Sequence, residues 1–166
     1  MLPQAERLRR ASAFQRAYQE RRVISSPQLS LYVIPRQGAA VKQSGAWRPL
    51  TGFVVSKKVS KSACKRNRLK RQVRDAYRHL REQVYSGKKA HYRLNQWYIL
   101  VFTIHSQALT STYDQIARAV ESCLIRADKR FGRSPFEKET VKKRPKDDHD
   151  VNRKASLPRE MDNGQV

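Results

Sequence analysis

The sequence predicts an α+β fold: one domain of order α-β-β-β-α-β-α, a sandwich in which helices pack on a central mixed β-sheet. Three observations predict it. Two long stretches place apolar residues at helical spacing, and between and before them lie short apolar or alternating stretches of strand type. One helical stretch separates two strands, which makes it the crossover helix of a βαβ unit. Finally, the charge divides unevenly: residues 1–132 carry 27 Lys and Arg against 7 Asp and Glu, and residues 133–166 carry 9 against 7. The second stretch has few large apolar residues, so burial there cannot recover the entropy lost on ordering. The domain is therefore expected over 1–132 and a disordered charged tail over 133–166.

The elements follow in order. Ser12 caps a short helix running to Arg21, with Phe14, Ala17 and Tyr18 on one face. Val23 to Ser25 makes a short edge strand, and QLSLYVI at 28–34 alternates as a strand ended by Pro35. Residues 36–48, with two glycines and no pattern, read as a surface loop. LTGFVVSKK at 50–58 is a second clear strand. Leu69, Val73, Ala76, Tyr77, Leu80 and Val84 then mark one face of a helix that stops before Gly87. QWYILVFTI at 96–104 is the most apolar strand and belongs at the centre of the sheet. Ser111 or Thr112 caps a last helix to Arg130, burying Ile116, Ala119, Val120, Cys123, Leu124 and Ala127.

The helix after the second clear strand carries the strongest functional signal. Lys57 to Arg81 holds eleven Lys and Arg and a single acid, Asp75. Asn67, Arg71, Arg74 and Arg78 form a stripe opposite the apolar face, because residues three and four apart are neighbours on a helix. A solvated helix face normally mixes signs, and this one does not. Guanidiniums in a row, each planar with five donors, fit a phosphate backbone. The whole chain agrees: 166 residues, net charge +22 and pI near 10.8 point to a polyanionic partner.

Other classes find less support. No run of 18 apolar residues exists to span a bilayer, and MLPQAERLRR lacks an apolar signal core, so a cytoplasmic protein is expected. Cys64 and Cys123 are too few for a disulfide framework and lack CxxC spacing. The acids of the domain, Glu6, Glu20, Asp75, Glu82, Asp114, Glu121 and Asp128, are scattered and suggest no two-metal carboxylate cluster. His79, His91, His105 and His149 show no ligand spacing and read as surface or loop residues rather than general bases.

The segment Gly52 to Arg78, GFVVSKKVSKSACKRNRLKRQVRDAYR, resembles the signature of the bacterial ribonuclease P protein subunit. That family carries a strand ending in V-S-K-K, a short linker, then R-N-R-x-K-R-x-x-R on a helix. The matching residues are Val55, Ser56, Lys57 and Lys58, then Arg66, Asn67, Arg68, Lys70, Arg71 and Arg74. RLRRASAFQRAY at 7–18 looks like the family's basic and aromatic first helix, and QLSLYVI like the strand carrying its cleft tyrosine. The resemblance covers about residues 7–132. The departures are the loop at 36–48, an extended segment at 86–95 and the tail, none within the signature.

The resemblance implies a subunit of a ribonucleoprotein endoribonuclease that removes 5′ leaders from precursor tRNA. It implies that a large RNA subunit carries the catalysis with Mg2+, so the protein alone is inactive and needs no organic cofactor. Two binding surfaces are then expected. Lys57, Lys58, Lys61, Arg66, Asn67, Arg68, Lys70, Arg71, Arg74 and Arg78 would meet the RNA subunit. Asn67 suits either that role or a helix cap. Arg10, Phe14, Tyr18, Tyr32, Phe53 and Val55 would form a cleft for the single-stranded leader, where bases stack on aromatic rings beside cations. By spacing alone, Phe14 and Tyr18 equally fit core packing, and Tyr32 is the residue expected to be exposed. A ribosomal-type structural RNA-binding protein is the main alternative, and a nuclease that works without RNA the second. Neither a membrane nor a small-molecule substrate is expected as a partner.

Overall fold

The structure is a computed structural model and describes residues 2–36, 48–89 and 94–132. Its elements are α1 (Ala11–Gln19), β1 (Val23–Ser25), β2 (Leu29–Pro35), β3 (Leu50–Val55), α2 (Ala63–Tyr85), β4 (Trp97–Ile104) and α3 (Tyr113–Phe131). Short 3-10 turns lie at Gln4–Glu6, Leu94–Gln96 and Ser106–Leu109. The predicted order α-β-β-β-α-β-α is the one found. The loop predicted at 36–48, the middle of 86–95 and the tail at 133–166 lie wholly or largely outside the described residues.

The four strands form one mixed sheet of order β1-β2-β4-β3. β4 pairs antiparallel with β2 and parallel with β3, so α2 is the crossover of a parallel β3-α2-β4 unit. One face of the sheet is covered by α2 and α3, over a core that includes Leu31, Val33, Val73, Tyr77, Trp97, Phe102, Ile116 and Leu124. The other face holds the smaller core beneath α1, built on Leu8, Ala17, Ile34, Ile99 and Val101.

Local chemistry sets the ends. Thr112 and Gln115 form a reciprocal capping box at the start of α3. Ser62 caps α2 by accepting from the Lys65 amide. α1 corrects the expected cap: Ser12 is its second residue, and the extended Arg10 precedes the helix with no side-chain cap bond. The cause lies upstream. The Leu8 amide donates to the Thr51 carbonyl, tying the chain to the edge of β3 and aiming it into the helix before Ser12 is reached. α1 also stops at Gln19 rather than Arg21, where Arg21 takes a left-handed φ of 51°.

Two strands differ from expectation. β2 is buried on both faces except at Tyr32, so its alternation does not separate core from solvent. Pro35 closes β2 from within, and the register shifts between Ile34 and Pro35, where the ring supplies no amide donor. β3 ends at Val55, not Lys58. There the Ser56 hydroxyl accepts from the Lys58 amide and the Ser56 carbonyl from the Val59 amide, which turns the chain toward α2.

The segment before α1 is anchored by a buried ion pair. Glu6 is 4% exposed and Arg81 7% exposed. Arg81 sets Nε and Nη2 against the two Glu6 carboxylate oxygens at 2.8 Å each, and Arg48 adds a contact to Oε1 at 2.9 Å. Two cations and both carboxylate oxygens offset the cost of burying the charge.

Candidate nucleic-acid interface

The apolar side of α2 faces the sheet as its periodicity predicts, with Leu69, Val73, Ala76, Tyr77 and Leu80 buried. The remaining faces carry the cations. Arg68, Arg71 and Asn67 are exposed, and Lys70, Arg74 and Arg78 are half-buried. Lys57, Lys58 and Lys61 are exposed on the turn that leads into the helix.

These side chains are not equivalent. Arg66 folds back, and its Nη1 donates to the Ser60 and Lys61 carbonyls at 2.8 and 2.7 Å. It therefore organises the turn at the start of α2. The Arg74 guanidinium lies 5.6 Å over the Phe53 ring. Arg78 pairs with Asp75 at 3.0 Å, which cancels one of the helix's two acids against one of its cations. Asp75 also accepts from the Tyr113 hydroxyl at 3.2 Å, and burial together with the Asp75 charge raises the Tyr113 pKa. Asn67 is not a helix cap: it lies five residues beyond Ser62, which fills that role. Arg68 and Arg71 are the arginines of this surface with the most open approach.

The second set of residues is divided by the sheet. Phe14, Tyr18 and Tyr32 come together on the α1 face and are half-buried. Tyr18 and Tyr32 meet edge to face, with centroids 4.8 Å apart at 88°. The Tyr18 hydroxyl lies 3.4 Å from Thr103 Oγ1. Phe14 lies on Gly52, where a Cβ would sit only 2.5 Å from the ring. Arg10 is exposed just before α1.

Phe53 and Val55 correct the expected face: both point to the side of the sheet away from Tyr32, but the half-buried Phe53 still lines a groove with Phe14. Phe53 stacks on Phe102 at 5.4 Å and 7°, and Val55 is 8% exposed in the α2–α3 core. Side chains alternate along a strand, so the β3 residues that share the α1 face with Tyr32 are Leu50 and Val54. Tyr98 on β4 joins them and was likewise missed. Finding Leu50 and Val54 required the pairing Leu50↔Ile99 and Tyr32↔Val101, and Tyr98 lies where the β2–β4 register shifts from Ile34↔Ile99 to Pro35↔Trp97, which no single strand's pattern contains.

Two grooves flank α1. One, of about 610 Å3, is lined by Arg7, Arg9, Arg10, Arg16, Leu50 and Tyr98 among others. The other, of about 350 Å3, brings Phe14 of the α1 face together with Phe53, Arg7, Arg9, Lys70 and Arg74. Among the described residues, no carboxylate lines either groove. The two predicted surfaces thus meet at the second groove, and cations run from α2 to the start of α1. Such a strip matches a phosphate chain, and the half-buried rings beside it match bases. Among the described residues, no three His, Cys, Asp or Glu side chains gather as a metal site.

Comparison with known proteins adds to this geometry. The Ribonuclease P family model matches residues 2–128. The ribonuclease P protein component of Synechococcus sp. strain JA-2-3B'a(2-13) is 34% identical over 128 residues, covering 77% of this chain and 86% of that protein. The corresponding protein of Chloroflexus aurantiacus is 33% identical, covering 74% and 78%. Among solved structures, a Staphylococcus aureus RNase P protein mutant with defective mRNA degradation activity superposes with a TM-score of 0.56 at 22% identity, covering 75% of this chain and 89% of that one. The RNase P protein from Thermotoga maritima gives 0.54 at 19% identity, covering 73% and 96%. These structural likenesses are of fold.

Proposed function

From the premise that this chain belongs to the ribonuclease P protein family, we propose that it is the protein subunit of a bacterial ribonuclease P ribonucleoprotein, which removes the 5′ leader from precursor tRNA. The observation that carries the proposal beyond family membership is the acid-free groove where Phe14 meets Lys70 and Arg74. Two RNA segments, one structured and one single-stranded, would lie side by side there.

In this reading the exposed side of α2 and its leading turn hold the catalytic RNA subunit. Arg68, Arg71, Lys57, Lys58 and Lys61 contact its phosphates. Lys70, Arg74 and Arg78 border the contact, Arg66 shapes it from within, and Asn67 can donate and accept at a sugar or base edge. Tyr18, Tyr32 and Phe14 line the leader's path, with Arg10 at its edge. Phe53 acts from beneath, as the ring on which Arg74 rests, and Val55 only as core.

Cleavage itself falls to the RNA subunit, with Mg2+ held by RNA and substrate. The protein's own part is to bind, orient and neutralise. Its cations near the leader replace ionic screening that Mg2+ would otherwise supply. The cytoplasm of a bacterium is the proposed location. Among the described residues no helix is long and apolar enough to cross a membrane.

Reconstitution with a bacterial ribonuclease P RNA tests the proposal. The protein alone should leave precursor tRNA intact. Added to the RNA, it should lower the Mg2+ concentration needed for cleavage. An unchanged Mg2+ requirement at saturating protein, or cleavage by protein freed of all RNA, would contradict it.

A further inference from the structure

α1 is nine residues long, and near its end the Tyr18 hydroxyl reaches Thr103 of β4. Beyond Tyr18 and Tyr32 the α1 face continues as a polar floor, made by Ser25 of β1, Ser30 of β2, Thr103 of β4 and His105 just past β4. The register sets these residues side by side, with Ser25 opposite Ser30 and Ser30 opposite Thr103. Ser25 Oγ and Ser30 Oγ are 2.8 Å apart, and Ser30 Oγ lies 3.0 Å from His105 Nε2. The His105 amide donates to the Gln28 carbonyl at 2.9 Å, which fixes the backbone beneath the ring.

This chain of hydrogen bonds orients an imidazole that is itself half-exposed. Ser30 is 6% exposed and engaged on both sides, so it is a support and not a nucleophile. Nδ1 of His105 has no partner among the described residues. It is left as one oriented polar atom on the α1 face, beyond the Tyr18–Tyr32 pair. Whichever way the protons run along the chain, Nδ1 is a single donor or a single acceptor. Such an atom can distinguish base edges, whereas stacking on a tyrosine accepts any base.

Resting on the leader reading above, we infer that His105 is a specificity-determining contact for one leader base, with Ser30 and Ser25 as its positioning residues. Tyr32 and Ser30 are two positions apart on β2, about 7 Å. The base concerned is therefore the one adjoining the nucleotide stacked on Tyr32. Most of the polar floor is small, so a base can approach the ring without displacing a bulky side chain.

The test uses the full chain reconstituted with its RNA subunit. Affinity is measured for precursor tRNAs carrying each of the four bases at successive leader positions, and for mature tRNA. The wild type should show one position with a preference of about three- to ten-fold, the range of a single net hydrogen bond. His105→Ala should abolish that preference and leave the other positions unchanged. Ser30→Ala should weaken the same preference at the same position without touching the ligand. An abasic nucleotide there should lower wild-type affinity to that of the disfavoured base, a readout that needs no variant to fold. A preference that survives His105→Ala, an equal loss for all bases, or a wild type with no preferred base anywhere would overturn the inference while leaving the leader reading intact. Equal wild-type affinity for precursor and mature tRNA would overturn both.

Discussion

Gly52 fixes how closely α1 lies on the sheet. A Cβ there would stand 2.5 and 2.8 Å from two atoms of the Phe14 ring and 3.2 Å from Leu8. Gly52→Ala therefore forces the ring aside or lifts the helix. The expected cost is about 1–3 kcal/mol, the usual range for overpacking, read as a lowered midpoint in denaturant unfolding. An unchanged midpoint would mean that Phe14 swings clear freely and does not hold α1 in place. Little of this was legible in the sequence. The glycine read as one more strand residue, and the close approach depends on a ring 38 positions earlier in the chain. The same distance hid the pairs Glu6–Arg81 and Ser30–His105, each 75 residues apart. Both join residues that read alone as ordinary helix charge or loop polarity. Tyr77 was legible as core, but not that burial raises its pKa well above the ordinary tyrosine value while Thr51 donates to its hydroxyl.

Elements were more legible than residues. α2 and α3 showed themselves through a long apolar period, and their buried faces are the predicted ones. β4 stood out by its unbroken apolar run. The strand phases were not legible, because a sheet covered on both faces buries both sets of alternating side chains. That is why Phe53 and Val55 were placed with Tyr32 when Leu50 and Val54 belong there. Within α2 the structure also separates cations that the sequence presents as one stripe. Arg71→Ala should weaken binding to the RNA subunit and reduce the log–log salt slope by about one, with the melting temperature unchanged. Arg66→Ala should instead cost stability, because it removes two hydrogen bonds to the turn carbonyls. Equal effects of the two substitutions on salt slope and melting would contradict this division of labour.

At the scale of the molecule, three layers give the two RNA-facing surfaces separate supports. α2 and α3 pack over one face of the sheet and α1 over the other, and the outward cations of α2 reach the α1 side around the edge strand β3. The surfaces can therefore be perturbed one at a time. The central claim is that the α1 face holds the leader while α2 holds the RNA subunit. The measurement that tests it most directly is the affinity of reconstituted Tyr32→Ala holoenzyme for precursor tRNA and for mature tRNA. Removing the stacking ring should weaken precursor binding by roughly 1–3 kcal/mol and leave mature tRNA, which lacks a leader, nearly unaffected. An equal loss for both ligands, with the domain folded and assembled on its RNA, would remove Tyr32 and the α1 face from the leader's path.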